Sequence, residues 1–421
     1  MKYFQAIKFL AIVLILNTGI IAPAQEYDIL IKNAHLIDPK NNIDQEMDVA
    51  ISDGTIAEVS PQISNGSAKT TINATGMYIT PGLIDIHAHV FWGTRDDEYI
   101  SNSYASLPPD GFTFRSGVTT IVDAGSSGWM NFRIFKEQTI DHSRTRVLAF
   151  LNIVGSGMKG GAIEQNLGDM DPKLTAMVVK KYEDVIVGVK LAHYSGPEWD
   201  PLIRTVKAGE LAGMPVMIDF GGHIPELSLE RLLMDELRPG DIFTHCFAHV
   251  TGRTAIVDER GEVRPFVLEA QKKGVVFDVG HGGGSFVFEQ VIPAMKQDFF
   301  PNSLSTDLHT GSMNGGMKNM LNIMSKFLNM GMPLQDVVKR STWDPAVYIN
   351  HEELGHLSKG AVADIAVLSL HSGDFGFADT NGWKIKGPQK LECELTIRDG
   401  EVVWDLNGIS MPDWQSGDEN E

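Results

Sequence analysis

The sequence predicts an α/β chain: a (β/α)8 TIM barrel carrying a small β-sandwich built from both chain ends. Three observations lead there. Short apolar runs alternate with amphipathic helical stretches through residues 80–350. Helix-free β patterning flanks that region at residues 27–79 and 355–408. Polar residues inside the apolar runs gather at their C-terminal ends, where such a barrel presents its functional groups.

Taken in order, residues 1–24 come first. Lys2 and Lys8 precede an apolar block from Phe9 to Leu16, which breaks at Asn17-Thr18-Gly19 before Ala22-Pro23-Ala24. That is the layout of a cleaved signal peptide. The block is shorter than the roughly 20 residues that span a bilayer, which favours cleavage over a membrane anchor. No cysteine follows it, which argues against a lipoprotein anchor. Export to the periplasm or medium is expected.

From residue 27 the runs Ile29-Leu30-Ile31, Met47-Asp48-Val49-Ala50-Ile51 and Thr55-Ile56-Ala57-Glu58-Val59 read as strands, with Asp53-Gly54 as a hairpin turn. Eight barrel strands follow at 83–87, 119–123, 147–154, 186–191, 216–220, 242–247, 275–279 and 304–307. Helical stretches separate them at 172–183, 201–212, 227–237, 265–273, 286–296 and 317–330. An open doubly wound sheet is the competing topology, but no Gly-rich dinucleotide fingerprint follows the first strand. After residue 355, strands return at 364–368, 393–397 and 401–404, with Arg398-Asp399-Gly400 as a turn. Each β segment is too small to hold a core alone, so the two should share one satellite domain. Residues 412–421 form an acidic, flexible tail.

Composition narrows the partners. The chain has 421 residues, 43% hydrophobic and 21% charged, as for an ordinary globular protein. Its formal charge is −19, and loss of Lys2 and Lys8 with the leader makes it more negative. Such a surface repels nucleic acid and anionic membrane. A small-molecule partner is expected, and a homo-oligomer stays open. Two distant cysteines, Cys246 and Cys393, are not a disulfide framework. Cys246 lies in an apolar run and reads as a buried thiol.

The chemistry begins at Leu83-Ile84-Asp85-Ile86-His87-Ala88-His89. Residues i and i+2 of a strand face the same way, so His87 and His89 converge on one point, an arrangement that suits Zn²⁺ or a similar ion. Three later strands supply more groups. Lys190 sits in Val187-Gly188-Val189-Lys190-Leu191, where a lysine is costly unless paired or modified. His245 and Asp307 end the sixth and eighth strands. Gly155-Ser156-Gly157-Met158-Lys159-Gly160-Gly161 lacks phosphate-loop spacing and reads as a flexible barrel loop. His249, His309 and His351 are assigned structural roles.

Pro81-Gly82-Leu83-Ile84-Asp85-Ile86-His87-Ala88-His89 resembles the first-strand motif of the amidohydrolase superfamily, in its dihydroorotase and hydantoinase-like division. Three further stretches resemble the deacetylase-like branch: Arg238-Pro239-Gly240-Asp241 leading to Thr244-His245-Cys246-Phe247, Phe277-Asp278-Val279-Gly280-His281-Gly282, and Ser305-Thr306-Asp307-Leu308-His309. The likeness spans residues 27–408. It implies two divalent metals, Zn²⁺ first with Mn²⁺ or Fe²⁺ as alternatives, and CO₂ carried on Lys190 as a bridging carbamate. His87, His89 and Asp307 would hold the first metal, and His245 the second. Asp307 would be the general base for a metal-bound hydroxide attacking an amide or ester of a small molecule. His281 would face substrate or close its loop, and Tyr194 would line the substrate site. Relatives carry an arginine near His193-Tyr194-Ser195-Gly196, and this chain does not.

At one position the chain departs from the family, which places a histidine at the end of the fifth strand. Here the run is Pro215-Val216-Met217-Ile218-Asp219-Phe220-Gly221-Gly222-His223. Asp219 is favoured as the ligand, since a carboxylate oxygen binds at nearly the imidazole distance. His223 reaching back, or a one-metal enzyme, are the alternatives. The expected activity is removal of an acyl group (deacylation or deacetylation) from a small amide or ester. Hydrolysis of a cyclic amide, and a catalytically inactive binding protein on the same scaffold, are the competing readings.

Overall fold

Pro81 and Leu83 belong to different sheets, and Gly82 is the hinge between them. A Cβ at Gly82 would lie 2.2 Å from Thr119 Oγ1, so only glycine lets the two sheets meet there. The computed structural model describes residues 27–92, 103 and 105–414. The predicted leader and most of the predicted tail lie outside the described residues. No helix among the described residues is long and apolar enough to cross a membrane.

The satellite is one hydrogen-bonded sheet of eight strands, where a sandwich was expected. Its members are β1 (Tyr27–Asp38), β2 (Ile43–Ser52), β3 (Thr55–Ser60), β4 (Ala68–Asn73) and β5 (Tyr78–Pro81), with three strands from the far end of the sequence. β1 branches the sheet, because residues 27–32 pair with β4 while His35 and Leu36 pair with β5. Both predicted hairpin turns form. Asp53 and Gly54 take φ 50° and 72°, and Asp399 and Gly400 take φ 56° and 79°, the left-handed pair of a tight hairpin. The two turns touch: a Cβ on Gly400 would lie 2.6 Å from the Gly54 Cα.

The second sheet runs in strict sequence order through seven parallel strands. They are β6 (Leu83–Ala88), β7 (Val118–Gly128), β8 (Arg146–Asn152), β9 (Ile186–Leu191), β10 (Val216–Ile218), β11 (Ile242–Phe243) and β12 (Val276–Phe277). Every residue of β6, β7 and β9 is buried, as expected for a parallel sheet covered on both faces. Helices Pro172–Lys181, Asp200–Ala212, Pro265–Lys273, Phe288–Lys296 and Met320–Asn329 match predicted stretches. The first of these is capped by Asp171, whose carboxylate accepts from the N–H of Lys173 and Leu174, with Pro172 opening the helix. The stretch at 227–237 is instead a short helical turn, Leu229–Arg231, followed by a π-turn.

The later strands are shorter than predicted. Only two residues of each run form a ladder in β11 and β12, and 303–308 is irregular chain joined by single bridges, Asp278 to Ser303 and Ala88 to Leu308. The ring of eight ladders is therefore not closed. The backbone explains it: His245, Gly280 and Asp307 take φ 56°, 45° and 50°, and a left-handed residue cannot continue a strand.

At the C-terminal end, β13 (Ile365–Ala378), β14 (Lys384–Arg398) and β15 (Glu401–Asp405) complete the first sheet. The β13–β14 hairpin is longer than the apolar runs announced. Its outer half is polar and leans on helix Met320–Asn329, where Asn329 Nδ2 donates to the Gln389 carbonyl and the Leu391 N–H to Ser325 Oγ. Cys246 and Cys393 are buried free thiols.

Candidate metal centre

The candidate ligands come from five strands or the chain that follows them. His87 and His89 end β6, with rings 5.7 Å apart. Asp307 closes against them: Oδ1 lies 3.1 Å from His89 Nε2 and 3.7 Å from His87 Nε2. These three offer ligand atoms all within 4.8 Å of one another, close enough to hold one ion. Lys190, on β9, is buried with Nζ 3.3 Å from His87 Nε2. Asp219 follows β10, and its Oδ2 lies 3.5 Å from His245 Nε2.

Burial governs the protonation of this cluster. Burial and the neighbouring Lys190 push His87 down to about 3, so its imidazole is neutral at physiological pH. Burial likewise lowers Lys190. Burial works against the charge on Asp307, but His87, His89 and His245 outweigh it and keep the carboxylate ionised. Asp219 is held below the usual carboxylate range the same way, with His245 and His193 outweighing burial.

The histidines share one orientation. His87 Nδ1 bonds Thr244 Oγ1 at 2.8 Å, His89 Nδ1 bonds Ser126 Oγ at 3.2 Å, and His245 Nδ1 donates to the Gly280 carbonyl at 2.6 Å. In each the second nitrogen, Nε2, faces carboxylate oxygen. A ring with Nδ1 so engaged and Nε2 free is the form that ligates metals. An inner cavity of about 110 Å³ is lined by these groups with Lys190, His193 and His309. It joins an outer chamber of about 480 Å³ lined by Arg253, Gly283 and Gly284, the two sharing His193, Asp219, His245, Asp307 and His309.

The structure thus gathers His87, His89, Lys190, Asp219, His245 and Asp307 as the sequence predicts. It does not bring His281 or Tyr194 to either cavity. His281 is fully buried, with Nε2 2.6 Å from Lys326 Nζ and its ring stacked on Phe286. Its Nδ1 lies 3.0 Å from the carbonyl of its own loop neighbour Gly282, and its ring lines neither cavity. Tyr194 likewise lines neither cavity, and its hydroxyl bonds Glu198 four residues on. His223 also lies outside, its Nδ1 3.2 Å from the Gly196 carbonyl and its ring 4.5 Å from Phe220. His309, assigned a structural role, instead lines the cavity. It accepts at Nδ1 from the Gly311 N–H at 3.0 Å, which leaves the proton on Nε2, 3.8 Å from Asp307 Oδ2.

Sequence reasoning missed three supporting carboxylates. Asp278 Oδ2 accepts from Thr244 Oγ1 and Ser305 Oγ, and so fixes the hydroxyl that holds His87. Asp85 ties β6 to the Thr306 N–H at 3.0 Å. Asp123 accepts from the N–H of Val90 and Ser126. The signal was present, since each acid sits inside an apolar strand run, as Lys190 does. Arg253, also missed, is buried and ties two strand ends by donating to the carbonyls of Phe220 and His245.

A parallel sheet with a His-x-His strand end, a facing aspartate and a buried lysine defines a hydrolase that works with divalent metal. Known proteins agree. A deacetylase of Agrobacterium fabrum is 33% identical over 358 residues, covering 83% of this chain and 85% of that protein. A deacetylase of Brucella anthropi is 31% identical over 337 residues, covering 78% and 81%. The crystal structure of a dihydroorotase, 30% identical, superposes with a TM-score of 0.79 over 90% of this chain and 99% of that one. No protein-family model matches the chain. The chain belongs to the amidohydrolase superfamily, beside its deacetylases, and is a metal-dependent hydrolytic enzyme.

Proposed function

We propose that this enzyme removes an acyl group, above all acetyl, from the nitrogen or oxygen of a small molecule. The observation that carries the reading is the meeting of His87, His89 and Asp307 with a buried Lys190 that forms no ion pair with a carboxylate among the described residues. The deacetylases that resemble the chain supply the acyl class. His87, His89 and Asp307 would hold a first divalent ion, His245 and Asp219 a second. Lys190 would bridge them after its neutral amine adds to CO₂, forming an N–C bond and losing a proton to give a carbamate. Zn²⁺ fits the imidazoles, and the extra carboxylate of Asp219 favours Mn²⁺ or Fe²⁺.

When bound, such ions supply a hydroxide at neutral pH and polarise a carbonyl. The protein's own groups do the rest. Asp307, ionised and facing the cavity, takes a proton and returns it to the leaving amine or alcohol. His309 presents Nε2–H toward the same space and orients a carbonyl or leaving-group oxygen. The inner cavity admits an acyl group of acetyl size, and the outer chamber takes the leaving group. We further read the open seven-strand sheet and its bridged eighth segment as a (β/α)8 barrel over residues 80–350, with the satellite from 27–79 and 355–408. The leader reading implies export. Likeness to a dihydroorotase over nearly its whole length favours cyclic-amide hydrolysis as the second reading.

The test is direct. Purified protein is assayed for metal and screened against N-acyl amino acids, acyl-oxy acids of both hands and dihydroorotate. Two metals per chain with acyl release is the expected result. Absence of both stoichiometric metal and turnover would leave an inactive binding protein and end the reading.

A further inference from the structure

We infer that His193 is a ligand of the second metal, oriented by Glu164, and that it supplies the imidazole missing from the end of the fifth strand. The inference rests on the two-metal reading above.

Four histidines around the cavity share one arrangement, and His193 is the fourth. Its Nδ1 is held by Glu164 Oε2 at 2.8 Å, and its Nε2 lies 3.7 Å from Asp219 Oδ2. That oxygen is the one His245 Nε2 faces at 3.5 Å. Glu164 is 1% exposed, and its other oxygen accepts from the Gly160 N–H at 2.6 Å. A fully buried carboxylate spent on orienting one half-exposed imidazole is the usual partner of a metal-ligating histidine, which donates its second ring nitrogen to an acid. The loop around Glu164 reinforces the placement. Gln165 Nε2 donates to the His193 carbonyl at 2.6 Å, and Gln165 Oε1 accepts from the Ser195 N–H at 3.0 Å.

The backbone is committed as well. His193 takes φ 58°, a left-handed value it shares with His245 and Asp307 and one that is uncommon for non-glycine residues. Three residues beyond Lys190, that turn brings the ring over the cavity mouth, which it lines in both chambers. His223, the other imidazole near the fifth strand, has no such access. His309 has the opposite tautomer, with its Nδ1 an acceptor and its Nε2 a donor, and is therefore not a ligand.

The experiment measures metal, not turnover. Full-length mature wild type, His193→Ala, His193→Gln and Glu164→Gln are loaded with Zn²⁺ or Mn²⁺, dialysed, and analysed for metal per chain and for site affinities by chelator competition. Circular dichroism and thermal melting check folding. Wild type should hold two ions. Both His193 variants should keep the first and lose the second, and Glu164→Gln should weaken the second site by about 10–100-fold, the usual cost of removing an orienting partner. If the His193 variants bind two ions with wild-type affinities, His193 is an ion-pair partner of Asp219 and the inference is overturned while the two-metal reading stands. If wild type itself binds one ion or none, both fall together.

Discussion

Lys190 Nζ lies 3.3 Å from His87 Nε2 at the base of the cavity. Two bases this close, both buried, do not coexist as cations. Burial disfavours the ammonium form of Lys190, and a neutral amine is the form that adds to CO₂. Lys190→Ala is expected to lose both metals and activity, and short carboxylic acids should partly restore both by filling the carbamate's place. An unmodified amine by mass spectrometry on the metal-loaded native protein would rule the bridge out.

Asp307 is the only carboxylate facing His87 and His89 together among the described residues. Asp307→Asn keeps the side chain's size and one oxygen. Folding and most of the metal should survive, while kcat falls by about 10²–10⁴, the range of acid–base assistance. Turnover near wild type would place the base elsewhere.

Gly280 is a third point of vulnerability, reached through packing instead of chemistry. Its φ is 45°, and a Cβ there would lie 2.5 Å from Thr244 Oγ1 and 2.7 Å from His245 Nδ1. Those atoms orient His87 and His245, so Gly280→Ala must displace one or both rings. Metal affinity should drop at least tenfold, by analogy with lost orienting partners, along with a lowered melting temperature. Unchanged metal binding would mean that the loop yields without moving the ligands.

Lys326, which lines neither cavity, gives a pH dependence of stability. It lies under Phe286, bonded to His281 Nε2 and the Gly316 carbonyl, and burial lowers it to about 7 from its ordinary 10.5. Between those values the unfolded chain carries the proton and the folded chain does not. Stability therefore rises with pH across that window and is lost as pH falls through 7, with a slope of at most about 1.4 kcal/mol per pH unit. Urea denaturation from pH 6.5 to 9.5 should show a flatter profile for Lys326→Met than for wild type. Parallel profiles would mean that Lys326 stays charged when folded.

Much of this protein is determined by local sequence. Strand–helix alternation predicts the parallel order, Asp53-Gly54 and Asp399-Gly400 encode their turns through residues that tolerate left-handed backbone, and period-two geometry brings His87 and His89 together. A charged residue inside an apolar run marked Lys190, and the same rule applied to Asp85, Asp123 and Asp278 would have found the carboxylates behind the histidines. These features are legible because their physics acts over a few neighbouring residues.

Other features were decided only by the tertiary structure. Whether Asp219 or His223 enters the cavity depends on how Gly221 and Gly222 turn the chain, and whether His193 does depends on a glutamate 29 residues earlier. His281 was lost to a lysine 45 residues later, and Tyr194 to its own neighbour Glu198. A side chain at a strand end points where its hydrogen-bond partner stands, and for most of these residues that partner comes from another strand or loop. Spacing along the chain places a group at the rim of the site, and only the folded packing of distant segments decides which rim residues turn inward.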